Sequence, residues 1–169
     1  MTMEISHETV TNLNELKSEF LFQIHVKLAP PMEIGQSPEG NRLIFMGESG
    51  TFEGPKMTGA VLANSGGDWS RIRADGSGAL DVRLTLRTND GALILMTYFG
   101  RMVAAPEEMG YALDFAKPDD PQGAHRYYFR TNPLFETSDA RYAWLNHIVA
   151  IGKGRTGNQG VIYDVFAIL

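Results

Sequence analysis

Apolar and polar positions alternate along much of this chain. The clearest stretch contains Phe20, Phe22, Ile24, Val26 and Leu28, which stand at every second position. A period of two places side chains on one face of a strand, so this stretch predicts a β-strand with one buried face. Similar runs, bounded by Gly, Asn, Asp or Pro, occupy residues 42–52, 57–63, 79–88, 92–103, 125–131, 144–152 and 160–169. Together the runs predict roughly eight strands.

The connections between these runs are short, which favours antiparallel pairing. Asn89-Asp90-Gly91 joins two of the runs and contains the Asp-Gly signal of a tight hairpin turn. Residues 106–115 can form a short helix, and Ser138 can cap one turn through Tyr142. Neither segment is long enough for a parallel crossover. We therefore predict an all-β fold: a single antiparallel closed β-barrel of roughly eight strands with one or two short helical turns, because closure removes exposed strand edges.

Length, charge and composition narrow the possible functions. A chain of 169 residues suits one domain, here 1–169, with an N-terminal extension at 1–18 and an insertion between strands at 104–122. The net charge of -5 and the lack of a Lys/Arg run argue against nucleic acid or an anionic membrane as a partner. The chain has no cysteine, and no stretch has the pattern of a secretory signal or a membrane span. These features lead us to expect a cytoplasmic protein.

Asp81 and Arg83 are the first candidates for chemistry. They alternate with Leu80, Val82 and Leu84, so the acid and the guanidinium share one face of a strand. If that face lines the barrel, the desolvated pair can dock an anion or exchange a proton. If it faces outward, it is an ordinary solvated surface, and alternation alone leaves both interpretations open.

Further candidates combine aromatic, acidic and basic side chains. Asp68 and Trp69 follow two glycines at the expected barrel rim, where Trp69 either stacks on a flat ligand or plugs the barrel end. Arg130 can hold a carboxylate through two hydrogen bonds, and Glu136 can act as an acid or base, unless the two form a structural salt bridge. Tyr98, in the middle of its strand, can donate a hydrogen bond from its hydroxyl. The aromatic and polar side chains of Tyr128, Trp144 and Asn146 complete the set of predicted ligand-contacting residues, with Trp144 and Asn146 projecting to the same side of a strand.

The sequence offers no conventional cofactor motif. His7, His25, His125 and His147 lack close ligand spacing, so no metal site is expected. There is no GxGxxG opening a helix, no Walker loop and no GxSxG elbow, and we expect no cofactor. The glycine-rich stretch at 152–157 lies between two predicted strands and suggests a hairpin loop.

Several short motifs in one order resemble the family catalogued as domain of unknown function 3237. They are Gly50-Thr51-Phe52-Glu53-Gly54-Pro55, Gly66-Gly67-Asp68-Trp69, Asp75-Gly76, Leu80-Asp81-Val82-Arg83, Thr88-Asn89-Asp90-Gly91-Ala92-Leu93-Ile94, Phe135-Glu136-Thr137 and Tyr142-Ala143-Trp144-Leu145-Asn146. The resemblance spans about residue 20 to residue 169. It implies a small barrel of the calycin or allene-oxide-cyclase-like kind, often assembled as a homo-oligomer. The insertion at 106–121 is the least family-like stretch, and we expect it to shape a lid or an oligomer contact. The resemblance also implies a common pocket formed by Asp81, Arg83, Phe135, Glu136, Trp144 and Asn146.

Some members of that family are associated with the breakdown of aromatic compounds, which implies cofactor-independent lyase or isomerase chemistry. Our main hypothesis is therefore an enzyme acting by acid-base chemistry on an aromatic or unsaturated carboxylic acid, for example by decarboxylation. Arg83 or Arg130 would hold the carboxylate, Asp81 or Glu136 would exchange the proton, and Tyr98 would stabilise negative charge, with Trp69 or Trp144 against the ring. The alternatives are a non-catalytic barrel that binds an apolar or aromatic small molecule, and a structural oligomer subunit with a solid interior.

Overall fold

A computed structural model describes residues 14–169 of the chain. Most of the predicted N-terminal extension, His7 included, lies outside these residues. The strands are β1 (Ser18–Leu28), β2 (Met32–Ser37), β3 (Gly40–Glu53), β4 (Thr58–Val61), β5 (Gly67–Ile72), β6 (Gly78–Thr88), β7 (Leu93–Val103), β8 (Tyr128–Thr131), β9 (Leu134–Glu136), β10 (Ala150–Gly157) and β11 (Gly160–Ile168). The helices are a single α-helical turn, Met109–Ala112, and the 3-10 segments Pro106–Glu108, Pro121–Arg126 and Ala140–His147.

The strands close into a barrel. β6, β5, β3, β1, β11, β10, β8 and β7 are hydrogen-bonded neighbours in that order, and pairing of β7 with β6 completes the ring. Every pairing is antiparallel. β2 pairs with β3, β4 bridges β3 and β6, and β9 pairs with β7. The predicted closed antiparallel barrel is confirmed, with eight ring strands and three extra strands in the described part of the chain.

The β6–β7 hairpin forms as its turn residues predict. Gly91 adopts a φ of +94°, a conformation that side chains other than glycine rarely accept. The Thr88 hydroxyl accepts a hydrogen bond from the amide of Ala92 at 2.8 Å and closes the turn. This hairpin fixes the register of β6 and β7, which have 11 residues each.

Three local predictions are wrong. Residues 140–147 form a 3-10 helix, so Trp144 and Asn146 are not on a strand, and β10 begins only at Ala150. The glycine-rich stretch at 152–157, predicted as a loop, is part of β10. The run predicted at 125–131 begins in a 3-10 segment and becomes a strand at Tyr128.

The barrel interior has a packed end and an open end. At the packed end the Phe22 ring contacts the rings of Phe52 and Phe135, with centroids 5.5 and 6.0 Å apart. Leu86 and Leu145, the latter from the 3-10 helix Ala140–His147, are fully buried in the same core. The opposite half of the barrel contains a cavity. None of the helices within residues 14–169 has the length and apolar character needed to cross a membrane.

Candidate functional site

The cavity has a volume of about 370 Å³ and an almost entirely apolar wall. The strand positions that line it are one face of β1, β3, β5, β6, β7, β8 and β11, and most of them carry aliphatic or aromatic side chains. The polar side chains in its lining belong to Asp68, Ser70, Tyr98 and Tyr163. The remaining lining residues are Val26, Leu28, Pro31, Leu43, Phe45, Gly67, Ile72, Gly78, Leu80, Val82, Leu84, Met102, Leu113, Phe115, Phe129 and Val161.

Asp68 places a carboxyl group in this apolar wall. It stands on β5 opposite Phe45 of β3 and Val82 of β6, both of which also line the cavity. Its Oδ1 accepts a hydrogen bond from the amide of Asp81 at 3.0 Å. Burial raises the pKa of Asp68 to about 7, since the Asp81 amide and the charge of Arg42 only partly offset the cost of desolvation. Near neutral pH this carboxyl group therefore exchanges readily between its acid and base forms.

Tyr98 of β7 and Tyr163 of β11 bring two phenols into the same cavity. Their rings meet edge to face with centroids 5.5 Å apart. Burial raises the pKa of both hydroxyls, and the nearby charge of Asp68 raises them further. Both phenols therefore stay protonated at neutral pH, and a hydrogen bond between the two hydroxyls leaves one proton of the pair available to a ligand.

Two glycines of β10 make room for side chains of neighbouring strands. A Cβ atom on Gly154 would collide with the rings of Phe129 and Tyr163, and one on Gly152 would collide with the Thr131 hydroxyl. The Phe129 and Tyr163 rings are packed with centroids 5.3 Å apart. The glycines in this stretch therefore serve close packing of the cavity wall, which explains why they occur within a strand.

The predicted insertion at 104–122 lies over the open end of the barrel, and we call this segment the cover. Leu113 and Phe115 from this segment line the cavity, and the Phe115 ring packs on Phe45 with centroids 5.6 Å apart. The Phe115 carbonyl accepts a hydrogen bond from the amide of Gln159 at 2.7 Å, in the β10–β11 turn. An adjoining surface depression shares four lining residues with the cavity: Leu28, Pro31, Phe45 and Phe115.

An ion-pair cluster attaches the same segment to the barrel. Arg155 of β10 donates to both carboxylate oxygens of Asp119, at 2.5 and 2.9 Å, and to Asp164 of β11 at 3.0 Å. The side chain of Arg155 is only 6% exposed. A buried guanidinium with two carboxylate partners fixes the end of the cover to the outside of the wall.

Asp81 and Arg83 lie on the outside of the barrel. They form an ion pair at 3.0 Å with side chains 36% and 51% exposed. Leu80, Val82 and Leu84 occupy the inward positions of β6 and line the cavity. The outward alternative is therefore the observed one, because burying the aliphatic face of β6 leaves its charged face in water, where it has no access to a molecule in the cavity.

Glu136, Arg130 and Tyr128 are also on the outer wall. Glu136 is exposed opposite Leu95, and Tyr128 is exposed opposite Val103. Arg130 lies over the Tyr128 ring, 5.2 Å from its centroid, and is not paired with Glu136. The predicted carboxylate anchor and the predicted acid-base residue thus do not meet in the cavity.

Trp69, Trp144 and Asn146 are outside the cavity as well. Trp69 alternates with Asp68 and Ser70 on β5 and takes the outward side, where its carbonyl accepts from Arg42 at 2.6 Å. Trp144 is half-buried in the 3-10 helix at the packed end, 5.5 Å from the Lys56 ammonium group. Asn146 exchanges two hydrogen bonds with the backbone of Thr137 and stabilises a loop. Of the ten predicted site residues, Asp68 and Tyr98 line the cavity.

Tyr163 and Ser70 are cavity residues that sequence reasoning missed. Tyr163 shares the inward face of β11 with Val161 and Val165, which stand two residues away on either side. A ring with a hydroxyl group among aliphatic residues on that face is the sequence signal that could have identified it. Within residues 14–169, no group of three or more His, Asp or Glu side chains is arranged to hold a metal ion. The chemical groups of this site are therefore a carboxyl and hydroxyls in an apolar enclosure.

These features define a small closed antiparallel β-barrel with an apolar cavity that holds one carboxyl group and two phenols. The chain belongs to the protein family of unknown function DUF3237, whose model matches residues 16–168. The family resemblance noted in the sequence is thereby confirmed.

Similar proteins come from several bacteria and a fungus. A UPF0311 protein of Clostridium acetobutylicum is 36% identical over 141 residues, covering 82% of this chain and 86% of its own. A β-barrel-like protein of Acinetobacter baumannii superposes with a TM-score of 0.78 at 35% identity, covering 94% of this chain and 99% of its own. A structure described as an enzyme from Penicillium herquei superposes with a TM-score of 0.66 at 25% identity, covering 91% of this chain and 95% of its own.

Proposed function

We propose that this protein is a cofactor-independent lyase or isomerase that moves a proton on an aromatic or unsaturated small molecule held in the barrel cavity. The observation that carries the proposal is the Asp68 carboxyl group, with a pKa of about 7, in an apolar cavity that also contains the Tyr98 and Tyr163 hydroxyls. A general base or acid works best when its pKa lies near the working pH. The description of the similar Penicillium herquei protein as an enzyme supports a catalytic role in general.

The proposed mechanism uses these three groups. The Asp68 carboxylate removes a proton from a carbon next to a carbonyl group, or conjugated with one. The hydrogen-bonded pair of Tyr98 and Tyr163 donates its free proton to the oxygen on which negative charge develops. The resulting Asp68 carboxylic acid then returns the proton to another carbon of the same molecule, which gives isomerisation, or to a departing group, which gives elimination.

The lining of the cavity favours an uncharged substrate over the carboxylic acid suggested by the sequence. No arginine, lysine or histidine is among the lining residues, and the candidate anchors Arg83 and Arg130 are on the outer wall. A carboxylate in this cavity would lose its hydration and face the like charge of Asp68. We therefore favour ketones and phenols, whose oxygen atoms the two tyrosines can bind.

Hydrogen exchange into a simple ketone tests the proposal without knowledge of the natural substrate. The ketone 2-tetralone is neutral, bicyclic and enolisable, and proton NMR in D₂O follows the loss of its α-protons. We expect the wild-type protein to accelerate this loss above the buffer rate and Asp68→Asn to reduce the acceleration by about 10²-fold or more. Glu136→Gln is the matched control, since Glu136 is an exposed carboxylate on the outer wall, and it should exchange as the wild type does.

A non-catalytic binding barrel is the second candidate, and the aliphatic lining favours it. Such a protein would bind 2-tetralone in the cavity, seen as broadening of the ligand signals, without accelerating exchange. Wild-type binding with exchange at the buffer rate, repeated for a panel of enolisable ketones and para-hydroxyphenyl compounds, would overturn the enzymatic proposal and leave the binding function.

A further inference from the structure

Ser70 places a hydroxyl group in the apolar wall of the cavity, and the proposed mechanism does not use it. Its side chain is 7% exposed and lines the cavity from β5, two residues after Asp68. Its register partner on β3 is Leu43, and Leu80 lines the cavity from the neighbouring strand β6. Alanine would fill nearly the same space without the cost of burying a polar group, so the serine calls for an explanation.

The hydrogen bond that Ser70 makes within the fold is weak. The Ser65 hydroxyl shows the usual structural role, since it donates to the Leu62 carbonyl at 2.7 Å and accepts from the Thr85 amide at 3.1 Å. The Ser70 hydroxyl is 3.5 Å from the Ala79 carbonyl, whereas O–H···O hydrogen bonds are about 2.5 to 3.0 Å long. A hydroxyl that directs its proton to this carbonyl still has oxygen lone pairs that can accept a hydrogen bond.

Ser70 lies farther from the packed end of the barrel than Asp68 does. Asp68 is opposite Val82, and the residues after it pair with positions of β6 that are farther from Leu86 of the packed end. Asp68, Ser70 and Ile72 therefore line the cavity at successive steps toward its open end. Neighbouring inward positions of one strand are about 6 to 7 Å apart.

Beyond Ser70 the lining of the cavity is apolar again. It consists there of Ile72 and Met102 from the barrel wall, with Leu113 and Phe115 from the cover. A molecule in the cavity therefore meets the three groups of the proposed mechanism, then one hydroxyl, and otherwise hydrocarbon. The volume of about 370 Å³ is at the small end of the range for ligand pockets, which suits a bicyclic molecule.

We propose that Ser70 accepts a hydrogen bond from a hydroxyl group of the substrate, and that the substrate class is a neutral bicyclic ketone with this hydroxyl on its second ring. This inference rests on the proposed function, because the ketone oxygen is held by the Tyr98 and Tyr163 pair beside Asp68. The second ring then extends along β5 toward the open end of the cavity. Ser70 selects the substrate and takes no part in proton transfer.

Matched pairs of ligands test this role. The probes are 2-tetralones that carry either a hydroxyl or a methyl group at the same carbon of the aromatic ring, and NMR titration at one pH measures the affinity of each. For at least one ring position, we expect Ser70→Ala to lower the ratio of hydroxyl to methyl affinity by about 5- to 50-fold, because the buried ligand hydroxyl loses its acceptor. The affinity for the methyl compounds should stay near the wild-type value.

Val82→Ala is the matched control, because Val82 lines the same cavity without a polar group. It should weaken both members of each pair and leave their ratio as in the wild type. Circular dichroism confirms that each variant is folded. The proposal is overturned if Ser70→Ala leaves the ratio unchanged at every ring position, which is the result of a purely structural serine, or if the wild type binds none of the compounds.

Exchange of the α-protons of 2-tetralone separates this proposal from the proposed function. Exchange that depends on Asp68, together with a ratio that ignores Ser70→Ala, refutes the role of Ser70 and leaves the enzyme. A ratio that depends on Ser70 without accelerated exchange refutes the catalysis and leaves Ser70 as a residue that selects the ligand of a binding barrel.

Discussion

Burial of the Asp68 carboxyl group couples the stability of the fold to pH. Its pKa rises from 3.8 to about 7 on folding, so the folded state binds this proton more tightly than the unfolded chain does. The contribution of Asp68 to the free energy of unfolding therefore falls as pH rises between those two values, and the loss persists at higher pH. Asp68→Asn removes this dependence while an amide oxygen still accepts from Asp81. We expect the stability of the variant relative to the wild type to increase by about 2 to 4 kcal/mol between about pH 4 and about pH 8, measured by urea unfolding.

Asp75 is a suitable control because folding shifts its pKa in the direction opposite to that of Asp68. Hydrogen bonds from the Ser77 hydroxyl and amide lower the pKa of this exposed carboxyl group. Its ionised form stabilises the fold, an effect that is present above the unfolded pKa and is lost in acid. Asp75→Asn should therefore give no gain of relative stability toward pH 8. A gain as large as that of Asp68→Asn would refute the assignment of the effect to burial of Asp68.

The two cavity tyrosines are expected to act on the rate of proton transfer more than on binding. Tyr98→Phe and Tyr163→Phe each remove one hydroxyl donor and keep the ring. We expect each variant to exchange the α-protons of 2-tetralone about 10²-fold more slowly, with ligand affinity changed much less, because the donors act where charge develops. We expect an inflection near pH 7 in the rate profile, due to Asp68, and this inflection should remain in both variants. If the inflection disappeared in either variant while exchange persisted, a tyrosine would be the titrating group.

An ion-pair cluster is one of the contacts that attach the cover formed by residues 104–122 to the barrel. Asp119 is the cover's contact with the buried Arg155, and Asp164 satisfies the other side of the guanidinium. Asp119→Ala removes both hydrogen bonds to the cover, and we expect the free energy of unfolding to fall by about 1 to 3 kcal/mol. Amide hydrogen exchange should become faster at residues 113–119, while exchange in β6 and β7 should stay unchanged.

Glu107→Ala is the control within the same segment, since Glu107 is exposed in the 3-10 segment Pro106–Glu108. It should leave the exchange of residues 113–119 as in the wild type. If Asp119→Ala also left that exchange unaltered, the Phe115 contacts, and not the ion pair, would hold the cover.

Strand prediction succeeds where apolar and polar residues alternate regularly, and where the backbone conformation of a turn requires one type of residue. Phe22, Ile24 and Val26 alternate without interruption, and Gly91 has the positive φ that its hairpin position requires. The sequence predicts a strand from Trp144, in place of the second half of the 3-10 helix Ala140–His147, because the apolar residues there fit either period over so short a length. β5 escapes prediction because the Gly66-Gly67 pair suggests only a turn.

The site is harder to predict than the fold for a geometric reason. Asp68, Tyr98 and Tyr163 come from strands that are not all neighbours, and they meet only because the ring closes. Asp81 and Arg83 are two residues apart and have the composition of a site, but their spacing is equally that of an outer wall. Spacing along one strand gives the shared face of two residues. It does not show which face of the strand points into the barrel, or which side chains lie opposite that face on the other wall.

At the scale of the whole molecule, the two ends of the barrel have different roles. The packed end stabilises the fold, and the other end contains the candidate site. The packed end contains the Phe22, Phe52 and Phe135 cluster and the fully buried Leu86, closed over by Leu145. The other end leaves about 370 Å³ unfilled and exposes the Asp68 carboxyl group to an apolar environment. Both the missing packing and the desolvated carboxyl group cost stability, and the packed end must offset them.

Substitutions at Leu84 and Leu86 compare the two ends of the barrel within one strand. Both are inward and buried on β6, but Leu84 borders the cavity and Leu86 lies in the packed end. Truncation of Leu86 to alanine opens a new void among close-packed neighbours, whereas truncation of Leu84 enlarges a space that already exists. We expect Leu86→Ala to cost about 3 to 5 kcal/mol in urea unfolding and Leu84→Ala about 1 to 2.5 kcal/mol, because the cost grows with the van der Waals attraction removed and the volume of the new void. Leu84→Ala should in addition change the affinity for 2-tetralone, which Leu86→Ala should leave near the wild-type value. Equal losses of stability would mean that the two ends are packed alike and that the cavity is closed by its own side chains in solution.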